Sequence, residues 1–170
     1  MYAYIETEQV YRVSDLRDPV PFFENLPELV RGFDTIIGIG CYTLDERLRG
    51  WFSMLPKLEV SREYEFRDHA RARVREEPLS IFYLCATAEN LFELARLTNT
   101  IRDPLSICDH VISFTREVPL FSFHDAFYGD EMLISDCVPR RNVETFCSRI
   151  GAPFTVVANP MVAWRLIPPT

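Results

Sequence analysis

The chain has 170 residues, of which 48% are apolar and 13% aromatic, and a formal net charge of −7. That apolar content supplies one sizeable core and disfavours disorder, and the negative balance disfavours nucleic acid, whose phosphates need a positive surface. No run approaches the ~18 apolar residues of a membrane-spanning helix, so no membrane partner is expected.

The first residues, Met1-Tyr2-Ala3-Tyr4-Ile5-Glu6, lack the basic start and apolar stretch of a secretion signal, which points to a cytoplasmic protein. The five cysteines are an odd number, and most of them sit in apolar segments, as reduced buried thiols do. Of the eighteen basic residues only Lys57 is a lysine. That bias suits a GC-rich bacterial genome and also suits ion-pair and interface contacts.

In chain order, Tyr2 to Ile5 reads as a strand that Val10 to Val13 extends or answers. Asp18 before Pro19 caps a first helix with Phe22, Leu26, Leu29, Val30 and Phe33 at helical spacing, which Pro27 should break or restart and Gly32 should stop. Thr35 to Tyr42 is a strand. Its Gly38 and Gly40 form no nucleotide loop, since neither a third glycine nor a Lys-Ser/Thr pair follows. Asp45 to Leu55 predicts a short helix, and Ser61 to about Glu77 a further one with Arg67, Arg71 and Arg75 four residues apart. That ridge reads as a solvated face offset by nearby glutamates rather than as an anion site.

Leu79 to Ala86 is apolar apart from Ser80, as a central strand covered on both faces would be. Thr87 caps a helix carrying Leu91, Phe92, Leu94 and Ala95. Strands follow at Ile107 to Thr115, Leu120 to Phe127 and Glu131 to Asp136. Pro139 opens the clearest helix, with Val143, Phe146, Cys147 and Ile150 on one face and Gly151 as its stop. Phe154 to Ala158 and Val162 to Ile167 flank Asn159-Pro160 as a closing hairpin. These elements predict a single α+β domain over residues 1–170, with a mixed, mainly antiparallel sheet and about four helices packed on it.

The chemistry gathers between Cys108 and Phe127. If the two strands there turn at Glu117-Val118 with Phe114 opposite Phe121 and Ile112 opposite Phe123, the apolar side chains share one face. His110 then faces Asp125 and Cys108 faces Phe127. A register one residue away sets His110 beside His124 but mismatches the phenylalanines, so the first is expected. A buried His110-Asp125 pair satisfies itself, which is the simpler reading. The sharper one makes His110 a general base oriented by Asp125, with Cys108, Cys85 or a bound water as the reacting group, in a small hydrolase or transferase. A metal site from Cys108, His110, His124 and Asp125 matches no zinc spacing and is not expected, and no cofactor motif is present.

Acidic residues near aromatics between Phe121 and Asp136 favour a different function. A small acidic chain with no catalytic signature suits a protein-binding module of the immunity or antitoxin kind, whose partner is a basic toxin or enzyme. Its expected contacts are Asp125, Tyr128, Asp130, Glu131 and Asp136, with Asp45 and Glu46 second. The apolar tail Met161 to Ile167 raises homodimer formation as a further expectation.

Overall fold

The computed structural model describes residues 5, 7–58, 80–102, 106–115, 118–129 and 131–159. In chain order they form β1 (Gln9–Val13), α1 (Pro19–Leu29), β2 (Ile36–Cys41), α2 (Glu46–Met54), β3 (Ser80–Cys85), α3 (Ala88–Thr98), β4 (His110–Thr115), β5 (Val118–Phe123), β6 (Met132–Ser135), α4 (Arg140–Ile150) and β7 (Phe154–Ala158). The seven strands make one sheet in the order β3-β2-β4-β5-β6-β1-β7, and every pairing in it is antiparallel. The α+β architecture with four helices is therefore as the sequence predicts.

Local signals explain most of the element boundaries. Asp18 Oδ1 accepts the Val20 N–H at 3.0 Å, Asp45 Oδ1 the Arg47 N–H at 2.8 Å and Thr87 Oγ1 the Asn90 N–H at 3.1 Å, so α1, α2 and α3 each start on a side-chain cap, whereas α4 starts after Pro139 without one. Gly151, at φ 69°, closes α4 in the left-handed conformation that glycine adopts most readily. Pro27, expected to break the first helix, sits inside an unbroken α1. It removes one backbone bond near the end of a helix whose Phe22, Phe23, Leu26 and Leu29 are all buried. That burial, at about 1.5–3 kcal/mol per side chain, outweighs the ~3 kcal/mol proline penalty.

All four helices contribute to one core. Phe22 and Phe23 of α1, Phe52 of α2, Leu91 and Leu94 of α3, and Val143 and Phe146 of α4 cluster with Val13, Ile37, Ile39, Val111, Phe121, Phe123, Met132 and Ile134 of the sheet. The alternation of strand side chains then sends Ile36, Tyr83, Ile112 and Phe114 to the opposite face, where they form a second cluster. Gly38 lies on that face against Ile112 and Tyr83, so close packing is what this glycine serves.

Three expectations need correction. The strand at Leu79 to Ala86 is β3, which stands at the end of the described sheet order, not at its centre. Of its residues only Leu84 is fully buried; an apolar run cannot by itself distinguish a central strand from an outer one. The strand expected to reach Phe127 ends at Phe123, and Asp125 and Phe127 take positive φ values of 41° and 70° in the loop that follows.

The third correction is the β4–β5 register. Val111 pairs with Phe123, Ile112 with Ser122 and Ser113 with Phe121, after which the offset changes so that Phe114 pairs with Pro119. The expected register assumed that only one face is apolar, whereas here Phe121 and Phe123 enter the helix-covered core and Ile112 and Phe114 the opposite cluster. Leu120 is the extra residue of a bulge, and both it and Phe121 join the helix-covered core. Val118, expected in the turn, belongs to β5.

Several expectations fall outside the described residues: the helix from Ser61 to Glu77 with Arg67, Arg71 and Arg75, the segment before Ile5, Glu117, Asp130, and the tail from Pro160 onwards with its hairpin partner. Asn159, next to that tail, ties the end of β7 to the N-terminal segment. Its side-chain amide donates to Ile5 O at 2.6 Å and Thr7 O at 2.8 Å, and its backbone N–H donates to Glu8 O at 2.8 Å.

Candidate functional site

His110 opens β4 on the sheet face away from the helices and is 1% exposed. Its Nδ1 accepts the backbone N–H of Asp125 at 3.3 Å, so Asp125 meets the imidazole through its main chain. An Nδ1 that accepts leaves the proton of a neutral ring on Nε2. One residue earlier on β4's approach, Asp109 O accepts the Ala126 N–H at 2.7 Å. Together these bonds hook the loop after β5 onto the start of β4, and the positive φ of Asp125 shapes that loop.

The observed register brings His110 level with His124, and their ring centroids are 5.4 Å apart at 67°. His124 Nε2 lies 2.9 Å from Ser122 Oγ. Tyr42 completes the group with its ring centroid 6.4 Å from that of His110. The structure thus joins His110, His124, Ser122 and Tyr42. Neither Ser122 nor Tyr42 stands out in the sequence; the spacing of Ser122 in β5 and His124 just past its end, two apart, is the signal that could identify the first.

Cys108 is fully buried, and its thiol is pushed well above the ordinary value, first by burial and then by the neighbouring Cys41 and Asp109. Since the thiolate is the nucleophile, this environment holds Cys108 in its unreactive form. Cys41 is pushed up to about 12 by burial and by Asp109. The Asp109 carboxylate, itself buried, accepts the Tyr42 N–H at 2.9 Å through Oδ2. Among the described residues no group of three or more His, Cys, Asp or Glu is placed to hold a metal ion.

These thiols have a consequence for stability. Cys147 is also raised by burial, from 9.0 to about 12. Below pH 9 both folded and unfolded thiols are protonated and the effect is absent. Above it the unfolded thiols release protons that the folded ones keep, so stability falls as pH rises towards about 12. Urea unfolding should show a midpoint that drops above pH 9, and Cys147→Ala should make that drop shallower. A variant with the wild-type alkaline slope would contradict this account.

The expected partner contacts divide. Tyr128 and Glu131 are exposed and Asp125 half-buried in the β5–β6 loop, so these three lie together. Asp136 is exposed but follows Ser135 at the opposite end of β6. Asp45 is occupied as the cap of α2, with exposed Glu46 beside it. Among the described residues no helix is long and apolar enough to cross a membrane. Comparison of the chain with family models, with curated proteins and with solved structures found no match.

Proposed function

We propose that this chain is a bacterial, cytoplasmic protein-binding module of the immunity or antitoxin kind, which covers a basic toxin or enzyme with the acidic, aromatic loop between β5 and β6. The observation that carries this reading is a contrast in exposure: Tyr128 stands 46% exposed between Asp125 and Glu131, whereas His110 is 1% exposed. An exposed tyrosine beside carboxylates is suited to a cationic partner, by ring contact and by charge. The net charge of −7 would speed encounter with such a partner.

The alternative, a hydrolase or transferase using the His110-Asp125 pair, requires a histidine that meets substrate and, where Cys108 is the reacting group, a thiol that ionises. Burial of both side chains weighs against it. The test is coexpression with the toxin encoded by a neighbouring gene. The expected results are protection of the cells, a complex of the two purified proteins that weakens as salt rises, and at least about tenfold weaker binding after Tyr128→Ala. Neither protection nor a complex would set the proposal aside.

A further inference from the structure

A cleft of about 620 Å³ opens on the sheet face away from the helices, bounded by Arg12, His124, Glu131, Leu133, Val157 and Ala158. Its volume falls in the range of small-molecule sites, about 300–1,000 Å³. Arg12 of β1 is directly opposite Leu133 of β6, and Val157 of β7 is opposite Val10, two residues before Arg12. Arg12 thus has apolar Leu133 beside it on β6 and Val157 diagonally across on β7, where its direct partner is Thr155. Glu131 is two residues before Leu133, and the ring of His124 is held by Ser122.

The two charges in the cleft are only loosely matched. Arg12 Nε and Glu131 Oε1 are 3.5 Å apart, with the side chains 42% and 45% exposed. Such a pair contributes little, so a ligand can replace it at small cost. Among the described residues the Arg12 side chain makes no hydrogen bond, and the atoms that mark its ion pair with Glu131 are Nε and Oε1. A guanidinium presented in that way suits two-point capture of a carboxylate. Glu131, alongside it, suits an ammonium group.

From this juxtaposition we infer that the cleft binds a zwitterionic α-amino acid with an aliphatic side chain. The carboxylate lies on the terminal nitrogens of Arg12, the ammonium on Glu131, and the side chain on Leu133, Val157 and Ala158. The ligand thus replaces one loose ion pair with two closer ones and covers apolar floor. A ligand with only one of the two charges would leave the other protein charge unmatched.

Titration calorimetry with leucine on the intact protein tests this. Saturable binding is expected. Isopentylamine, which lacks the carboxylate, and 4-methylpentanoate, which lacks the ammonium, should each bind at least about tenfold more weakly. Arg12→Gln and Glu131→Gln should each weaken leucine by a similar factor, and because both positions are half exposed, their unfolding midpoints should remain close to wild type. No saturable leucine binding up to about 10 mM would overturn the inference. Equal binding of the three ligands, or leucine binding indifferent to both substitutions, would overturn it as well. The outcome is independent of the toxin experiment, which reads a protein complex.

Discussion

Phe22→Ala is expected to destabilise the protein by about 3–5 kcal/mol, a large share of the ~5–15 kcal/mol typical of a domain. Phe22 is fully buried, and its ring meets those of Phe23 at 5.1 Å, Phe127 at 5.4 Å, Phe146 at 5.7 Å, Phe123 at 5.8 Å and Phe121 at 6.3 Å. These contacts join α1 to α4, to β5 and to the β5–β6 loop. Truncation removes the apolar transfer energy and leaves a cavity that the sheet cannot collapse to fill, because its strands are held in register on both sides. Urea unfolding monitored by circular dichroism measures the loss. Phe92→Ala is the control: Phe92 is 69% exposed on α3 and should change stability by less than about 0.5 kcal/mol. Equal effects at the two positions would refute the core described above.

Gly38→Ala is expected to destabilise by about 1–3 kcal/mol, although an alanine ordinarily suits a strand better than a glycine. A Cβ there would come to 2.9 Å from Ile112 Cγ1 and 3.0 Å from Tyr83 Cε1. Tyr83 is half-buried and can yield, but Ile112 is buried, β-branched and set in a central strand, so its Cγ1 cannot withdraw without a shift of β4. The clash predicts coupling between the two sites. In an Ile112→Ala background, which removes the offending atom, Gly38→Ala should cost much less, and the double-mutant cycle should depart from additivity by at least about 0.5 kcal/mol. Additive effects would mean that the sheet accommodates the methyl group elsewhere.

Helix caps were legible in the sequence because they are local. Asp18, Thr87 and Gly151 act within a few residues of themselves, and each does what its position predicts; Asp45, placed only at the start of a helix, caps it. Pro27 does not break α1 because its penalty is local but the burial that overcomes it is not. The candidate site was half legible. That His110 would be buried near Asp125 follows from the strand pattern, and a contact between His110 and Asp125 exists, but His124, expected on the other side, stands beside His110. The form of the Asp125 contact was hidden, since the bond runs to the main chain of Asp125, and a main-chain bond leaves no trace in residue identity.

For this protein the sequence by itself determined most of the described elements, the ends at Asp18, Thr87 and Gly151, the negative balance and the mainly antiparallel, α+β character, because period, capping chemistry and charge are carried by residues close together in the chain. Only the tertiary structure decided the order of the strands, the place of β3 at one end of the described sheet, and the β4–β5 register that sets His110 beside His124. The physical reason is that both sheet faces bury apolar side chains here, so alternation along β4 and β5 fits two registers. The choice between them belongs to partners far away in the chain: Phe22 and Phe146 on one face, Ile36 and Tyr83 on the other.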